Sequence, residues 1–222
     1  MPLTGPTIFH TSSAGDGRRT WGELKRELAR PVNDNDDGVL ATASDCLTSA
    51  VRTLNRYCWP WELVTHDFTS TANTDTYALP SAFKREMAAY IMSSGRPNNR
   101  LRYMEIADFL GEYSLNQNGQ PTIYTLLNTH ETGQITLWPR PEVSTYSLRI
   151  WYYRRSGTRY QDSEIPDWPE EFEEVAQQWA WYEMMKRMPG YADKLPTARS
   201  AAMQARAELV SMTQSRGDSV GV

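Results

Sequence analysis

Glu62, Asp67 and Glu86 are the carboxylates in this sequence that could serve glycosidase-type chemistry. In that chemistry one carboxyl group donates a proton and a second acts as base or nucleophile, and their separation in space decides the outcome. His10, His66 and His130 fall in a tail, at a strand edge and in a turn, positions that read as surface rather than catalytic. No phosphate-cradling glycine loop, Gly-x-Ser-x-Gly elbow, zinc-ligand spacing or His-Glu-x-x-His occurs. The run Asn33-Asp34-Asn35-Asp36-Asp37 has the composition of a calcium loop. It lacks the combined pattern of a glycine at position six and a glutamate at position twelve, since the twelfth place from Asn33 is Ser44, so it reads as a plain loop. Arg154, Arg155 and Arg159 form a small basic group with few interleaved aromatics, which reads as a solvated strand end. The expectation is a chain with no catalytic residue, no metal and no cofactor, a glycosidase being the alternative.

Composition narrows the classes further. The 222 residues suit one domain, or one domain with appendages. A net charge of −4 gives neither a global nucleic-acid footprint nor a polybasic membrane signal. No apolar run approaches the length of a membrane span, and the first residues lack the layout of a secretion signal. The chain is therefore expected to be made and used in the cytosol, away from membranes. Cys46 and Cys58 are expected on one helix, about 18 Å apart, which is too far for a disulfide. Eight tryptophans and 12 tyrosines sit in a chain of mean hydropathy −0.62. Aromatics in such excess mark subunit interfaces as well as core.

The elements that must position these residues point to an α+β fold. N- and C-terminal helices form a helical part, and the remainder is a mostly antiparallel, β-rich part. Residues 1–19, rich in Gly, Pro, Ser and Thr, read as a flexible arm. Thr20 and Glu23 have capping-box spacing, so a first helix is expected over 20–29. Leu40, Ala43, Leu47, Ala50, Val51 and Leu54 give the stripe of a second helix over 38–58. It stops at Trp59-Pro60-Trp61, a rigid apolar corner that serves either as a plug between helix and sheet or as an interface anchor.

The β-rich part, 62–155, centres on Gly119–Arg155, expected as three consecutive strands joined by two tight connections. A turn at His130–Gly133 links the first two, and Leu148, Ile150 and Tyr152 alternate with Arg149 and Trp151 in the third. A short helix near Glu105–Tyr113 is expected to bury Ile106, Phe109 and Leu110. A third long helix over 169–188 opens with Glu170, Glu171, Glu173 and Glu174, read as solvated dipole partners. The C-terminal segment, 189–222, carries the small-residue stripe Ala198, Ala202, Ala205, Leu209 and Met212. That stripe needs a neighbour, within the chain or outside it. With the core at 20–188, these are the expected divisions.

Taken in order, the motifs resemble a known family. The helix ends in Trp59-Pro60-Trp61-Glu62, and Tyr77-x-Leu79-Pro80-x-x-Phe83, Leu101 and Phe109-Leu110 follow. Next come Gly119-x-Pro121-x-x-Tyr124 and Ile135-x-Leu137-Trp138-Pro139-x-Pro141. The series closes with Leu148-x-Ile150-x-Tyr152-Tyr153-Arg154 and Ile165-Pro166-x-x-Pro169 before a long helix. Over about Trp21 to Met188 this resembles the head-to-tail adaptor (connector) proteins of tailed bacteriophages, also called tail accessory factors or head completion proteins. The resemblance implies a structural virion protein at the head–tail junction, assembled in the host cytoplasm. It implies a ring, normally of twelve copies, that joins the portal protein to a tail or nozzle protein and surrounds the DNA passing through the exit channel. A C-terminal segment reaching into the portal is also implied, so Ala198, Ala202, Ala205, Leu209 and Met212 are the portal-binding candidates. Trp59, Trp61, Trp138 and Trp151 are the subunit-interface candidates. Some related tail accessory proteins hydrolyse cell wall, which keeps a tail-associated glycosidase as the alternative.

Overall fold

A computed structural model describes residues 18–112, 117–127 and 133–217, with side chains described to residue 211. Most of the N-terminal arm, His10, the turn at 130–132, the last residues and the Met212 side chain lie outside the described residues. The fold is α+β, as expected. Two compact units emerge: residues up to 57 with those from 156 onward are helical, and 58–155 are β-rich.

The helical unit begins with α1 (Trp21–Ala29). The capping box is present: Glu23 N–H donates to Thr20 Oγ1 at 3.3 Å, and Thr20 N–H donates to Glu23 Oε2 at 2.8 Å. The acidic run before α2 (Asp37–Leu54) works as a cap. Asp36 Oδ1 accepts from the N–H groups of Gly38 and Val39, and Asp37 adds negative charge at the positive end of the helix. Ala43, Leu47, Ala50, Val51 and Leu54 form the buried face. The helix stops at Leu54, four residues before the expected end, so Cys58 is not on it. Both thiols are free, and burial pushes that of Cys46 up to about 11.

The segment 156–169, polar in sequence, is tied to the start of α1. Trp21 N–H donates to the Glu164 carbonyl at 2.8 Å and Gly22 N–H to the Asp162 carbonyl at 3.0 Å. Two of the donors that every helix start leaves orphaned are thereby satisfied. A Cβ at Gly22 would stand 2.9 Å from the Asp162 oxygen, so only glycine permits this approach. Trp168 packs against Trp21, Tyr160 and Phe172, with ring centroids 5.1–6.2 Å apart.

From there α4 (Glu170–Arg187) runs against α2 and against α5 (Leu195–Gly217), with a short 3-10 turn, Pro189–Lys194, between the last two. Phe172, Val175, Ala176 and Trp179 are buried as expected, but so are Glu173 and Gln177. Glu173 therefore departs from the reading of a solvated acidic cluster. Arg19 donates to both Glu173 and Glu27, and Gln177 Nε2 donates to Glu27 Oε2 at 3.0 Å. Burial raises the Glu173 carboxyl above its ordinary value of 4.5, with Arg19 opposing the rise.

The β-rich unit holds β1 (Leu63–Thr69), β2 (Thr76–Ala78), β3 (Phe83–Ser93), β4 (Arg96–Tyr103), α3 (Ile106–Glu112) and β5 (Asn118–Gly119). It continues with β6 (Ile123–Leu127), β7 (Gln134–Trp138), β8 (Arg140–Pro141) and β9 (Ser147–Arg154). Seven strands form one sheet in the order β1-β9-β3-β4-β6-β7-β2, and β5 and β8 make a small parallel pair. Only the β6–β7 part of the expected three-strand run is a hairpin. β9 does not pair with β7; it inserts between β1 and β3, antiparallel to both. β4 and β6 are parallel, and α3 forms part of the crossover between them.

Phe68 on one edge strand touches Tyr77 on the other, with centroids 5.1 Å apart, so the sheet curls around its core. Phe83, Ile91, Leu101, Tyr124, Ile135, Leu137 and Ile150 form that core. Ile123, Tyr124 and Thr125 are all buried, so β6 is covered on both faces rather than one. Phe109 of α3 is buried as expected, whereas Leu110 is 63% exposed and does not join it.

The Arg19 network gives a test of the helical unit. Arg19→Met leaves two carboxylates facing each other in a buried site and should destabilise the fold by about 3 kcal/mol in urea denaturation. Glu173 has a raised folded-state pKa, so its stabilising contribution is fully present below the ordinary glutamate value and is lost as pH rises through the raised one. Stability measured from pH 4 upward should therefore decline less in Glu173→Gln than in the unmodified chain.

Candidate interaction surfaces

The three carboxylates do not assemble into an acid–base pair. Glu62 is fully buried at the end of a 3-10 turn, Pro60–Glu62. Its Oε2 meets Lys84 Nζ at 2.6 Å and accepts the Trp59 N–H at 3.2 Å. Asp67, on β1, sits opposite Arg149 and takes a bidentate bond from it at 2.6 and 2.7 Å. That hydrogen bond holds the Asp67 carboxyl below its usual range. Glu86, on β3, sits opposite Tyr152. Residues 149 and 152 of β9 point to opposite faces of the pleat, which separates Glu86 from Asp67. His66 is half-buried on β1 and stacks on Phe68, with centroids 5.8 Å apart. Arg154 ends β9, and Arg155 and Arg159 are exposed.

The interface candidates divide by burial. Trp59 is 2% exposed, and Trp61 lies half-buried and stacked on it, with centroids 5.1 Å apart and planes 5° apart. Trp138 is half-buried at the end of β7. Trp151 is half-buried, meets Tyr90 edge-on at 5.2 Å and carries the Arg149 guanidinium 5.6 Å from its ring. On α5, Ala198, Ala202 and Leu209 are buried and Ala205 is half-buried. α5 packs on α4, so this face already has a neighbour within the chain. Its other side shows Met203, 42% exposed.

Sequence reasoning missed one surface. The β3–β4 ladder runs from Ser93 opposite Arg96 to Ala89 opposite Leu101. Its turn is tight, since Ser94 and Gly95 both have positive φ, the pattern of a primed hairpin. Beyond Leu101, β4 pairs with β6 while β3 stays with β9, so the two strands part. A groove of about 530 Å³ opens there, lined by Arg85, Glu86, Met87, Arg100, Arg102 and Tyr103. Met87 is 55% exposed and Tyr103 39%. The legible signal was Arg100-Leu101-Arg102, where period two puts both arginines opposite the one buried leucine.

The tryptophan stack makes a testable division of labour. Trp59→Ala should cost about 3–5 kcal/mol of stability, the usual range for losing a buried aromatic. Trp61→Ala should cost about 0.5–1.5 kcal/mol, the worth of the stacking contact. Equal losses in thermal melts would show that Trp61 is as much a core residue as Trp59.

Among curated proteins none matches this chain. The model of the SU10 adaptor protein family matches residues 19–221, which takes in every helix and strand of both units. The capped first helix, the tryptophan corner, the Leu79–Phe83 turn and the strands that carried the resemblance all lie inside that match. The chain belongs to the SU10 adaptor protein family, the phage head-to-tail adaptors that its motifs resemble.

Proposed function

We propose that this chain is a subunit of a ring at the head–tail junction of a phage virion. The ring joins the portal to a tail or nozzle protein, surrounds the DNA exit channel and holds about twelve copies, as the family resemblance implies. The observation that carries this reading is the family match across both units rather than one of them. The engagement of Glu62 by Lys84 and of Asp67 by Arg149 gives the glycosidase alternative no support. Among the described residues no helix is long and apolar enough to cross a membrane, and no group of His, Cys, Asp and Glu is arranged to hold a metal.

Portal docking belongs in this proposal to the C-terminal segment, 189–222. Ala198, Ala202 and Leu209 are covered by the chain itself, which leaves the Met203 side and the far end of α5 to meet a partner. The stripe residues then act by fixing α5 in place. Deleting the chain after Val210 keeps those three contacts and should change unfolding free energy by less than about 1 kcal/mol. Electron microscopy of the full chain mixed with portal rings should show an added ring, and the shortened chain should leave the portal bare. Normal decoration by the shortened chain would move the docking element elsewhere.

A further inference from the structure

The groove between β3 and β4 has three arginines and one carboxylate, Glu86, in its lining together with exposed apolar groups, so its charge is net positive. Arg85, Arg100 and Arg102 are exposed, and Met87 and Tyr103 add exposed carbon surface to the same lining. Its complement is a projecting apolar side chain flanked by carboxylates. This chain carries one. Ile165 is 45% exposed, with Glu164 on one side and Asp167 two residues on, both exposed. Glu170, Glu171 and Glu174, also exposed, follow this acidic ridge in sequence, while Asp162 is paired with Lys25.

The ridge is rigidly mounted. Its Asp162 and Glu164 carbonyls accept from the start of α1, and buried Trp168 anchors the stretch behind Ile165. A preformed knob loses little conformational freedom on docking. The groove is equally fixed, since the strands that form it belong to the seven-stranded sheet. Charge is divided accordingly. Residues 58–155 carry equal numbers of acidic and basic side chains, so the whole net charge of −4 belongs to the rest of the chain.

We infer that the groove receives the Ile165 ridge of a second copy of this chain. Ile165 packs on Met87 and Tyr103, while Glu164 and Asp167 face Arg100 and Arg102. Knob and groove are different surfaces of the chain, so the contact is head-to-tail, the type that closes into a ring when its rotation permits. The inference rests on the reading of the chain as a multi-copy adaptor and names the contact between copies.

The test is charge reversal followed by mixing, read by sedimentation of the full chain at high protein and low salt concentration. The unmodified chain should self-associate, and added salt should weaken the association. Arg100→Glu with Arg102→Glu, and separately Glu164→Arg with Asp167→Arg, should each weaken it at least about tenfold. Mixing the two reversed chains restores opposite charges at every contact and should restore association, which misfolded variants would not do. A chain carrying Ile165→Cys and Met87→Cys should also form intermolecular disulfides on oxidation.

The inference is overturned if the reversals leave association unchanged or their mixture fails to restore it. An unmodified chain that stays monomeric while the cysteine pair gives no cross-link also overturns it, as does loss of duplex-oligonucleotide binding as the sole effect of the arginine reversal. Portal capture by the unmodified chain is scored separately, so failure of this contact and failure of the adaptor reading give different results.

Discussion

The β-rich unit depends on one non-local pairing. β9 is its last strand, yet it lies between β1 and β3 and pairs with nearly the full length of both. Leu148, Ile150 and Tyr152 then reach the core, and Arg149 reaches Asp67. Joining residues near 65 to residues near 150 closes a long loop before the contact can repay its entropy. Without β9, β1 has no partner in the sheet, and β3 keeps only the short ladder to β4. The position of the curled sheet's edges, the parting of β3 from β4 and the groove at that fork all follow from where β9 goes.

This constraint explains which parts of the structure were legible in the sequence. The Thr20–Glu23 capping box, the α2 stripe and the Leu79–Phe83 turn depend on residues a few positions apart, and each is where its spacing puts it. The inward face of β9 was equally clear, because alternation along one strand needs no knowledge of its neighbours. Its partners were not readable. Pro139 and Pro141 end β7 and announce a new element, but nothing in them says that the chain then leaves β7. Leu110 misled for a related reason: its helical spacing from Phe109 says nothing of whether a sheet covers that side. Glu173 shows the same gap in polar form. Four glutamates at a helix start read as solvated, and only Arg19, 154 residues earlier, makes one of them an internal ion pair.

The candidate surfaces sort along the same line. Glu62, Asp67 and Glu86 attract notice as residue types, yet what each does is set by partners from other strands. Lys84 engages a Glu62 that no solvent reaches, and Arg149 holds Asp67 ionised on the outer side of the sheet. These are structural uses of carboxylates. The buried Glu62–Lys84 pair adds little net stability against an apolar replacement but strongly penalises the loss of one member. It therefore enforces one geometry at the turn before β1, whereas the exposed Asp67–Arg149 pair ties β1 to β9 only at the surface.

A subunit of the proposed ring would meet a constraint that a free globular protein does not: two different surfaces must fit each other while neither fits itself. Like charge on like surfaces suppresses the isologous pairing of groove with groove or ridge with ridge. A net-positive groove on a β unit of zero net charge, and an acidic ridge on a helical part carrying −4, meet that requirement within one sequence. The apolar contacts proposed at Ile165, Met87 and Tyr103 are too few for a tight dimer. In the proposed ring each copy would be held by its neighbours as well as by the portal, so that modest contacts act together. On this proposal the division of charge along the chain, neutral over 58–155 and negative outside it, serves assembly rather than folding.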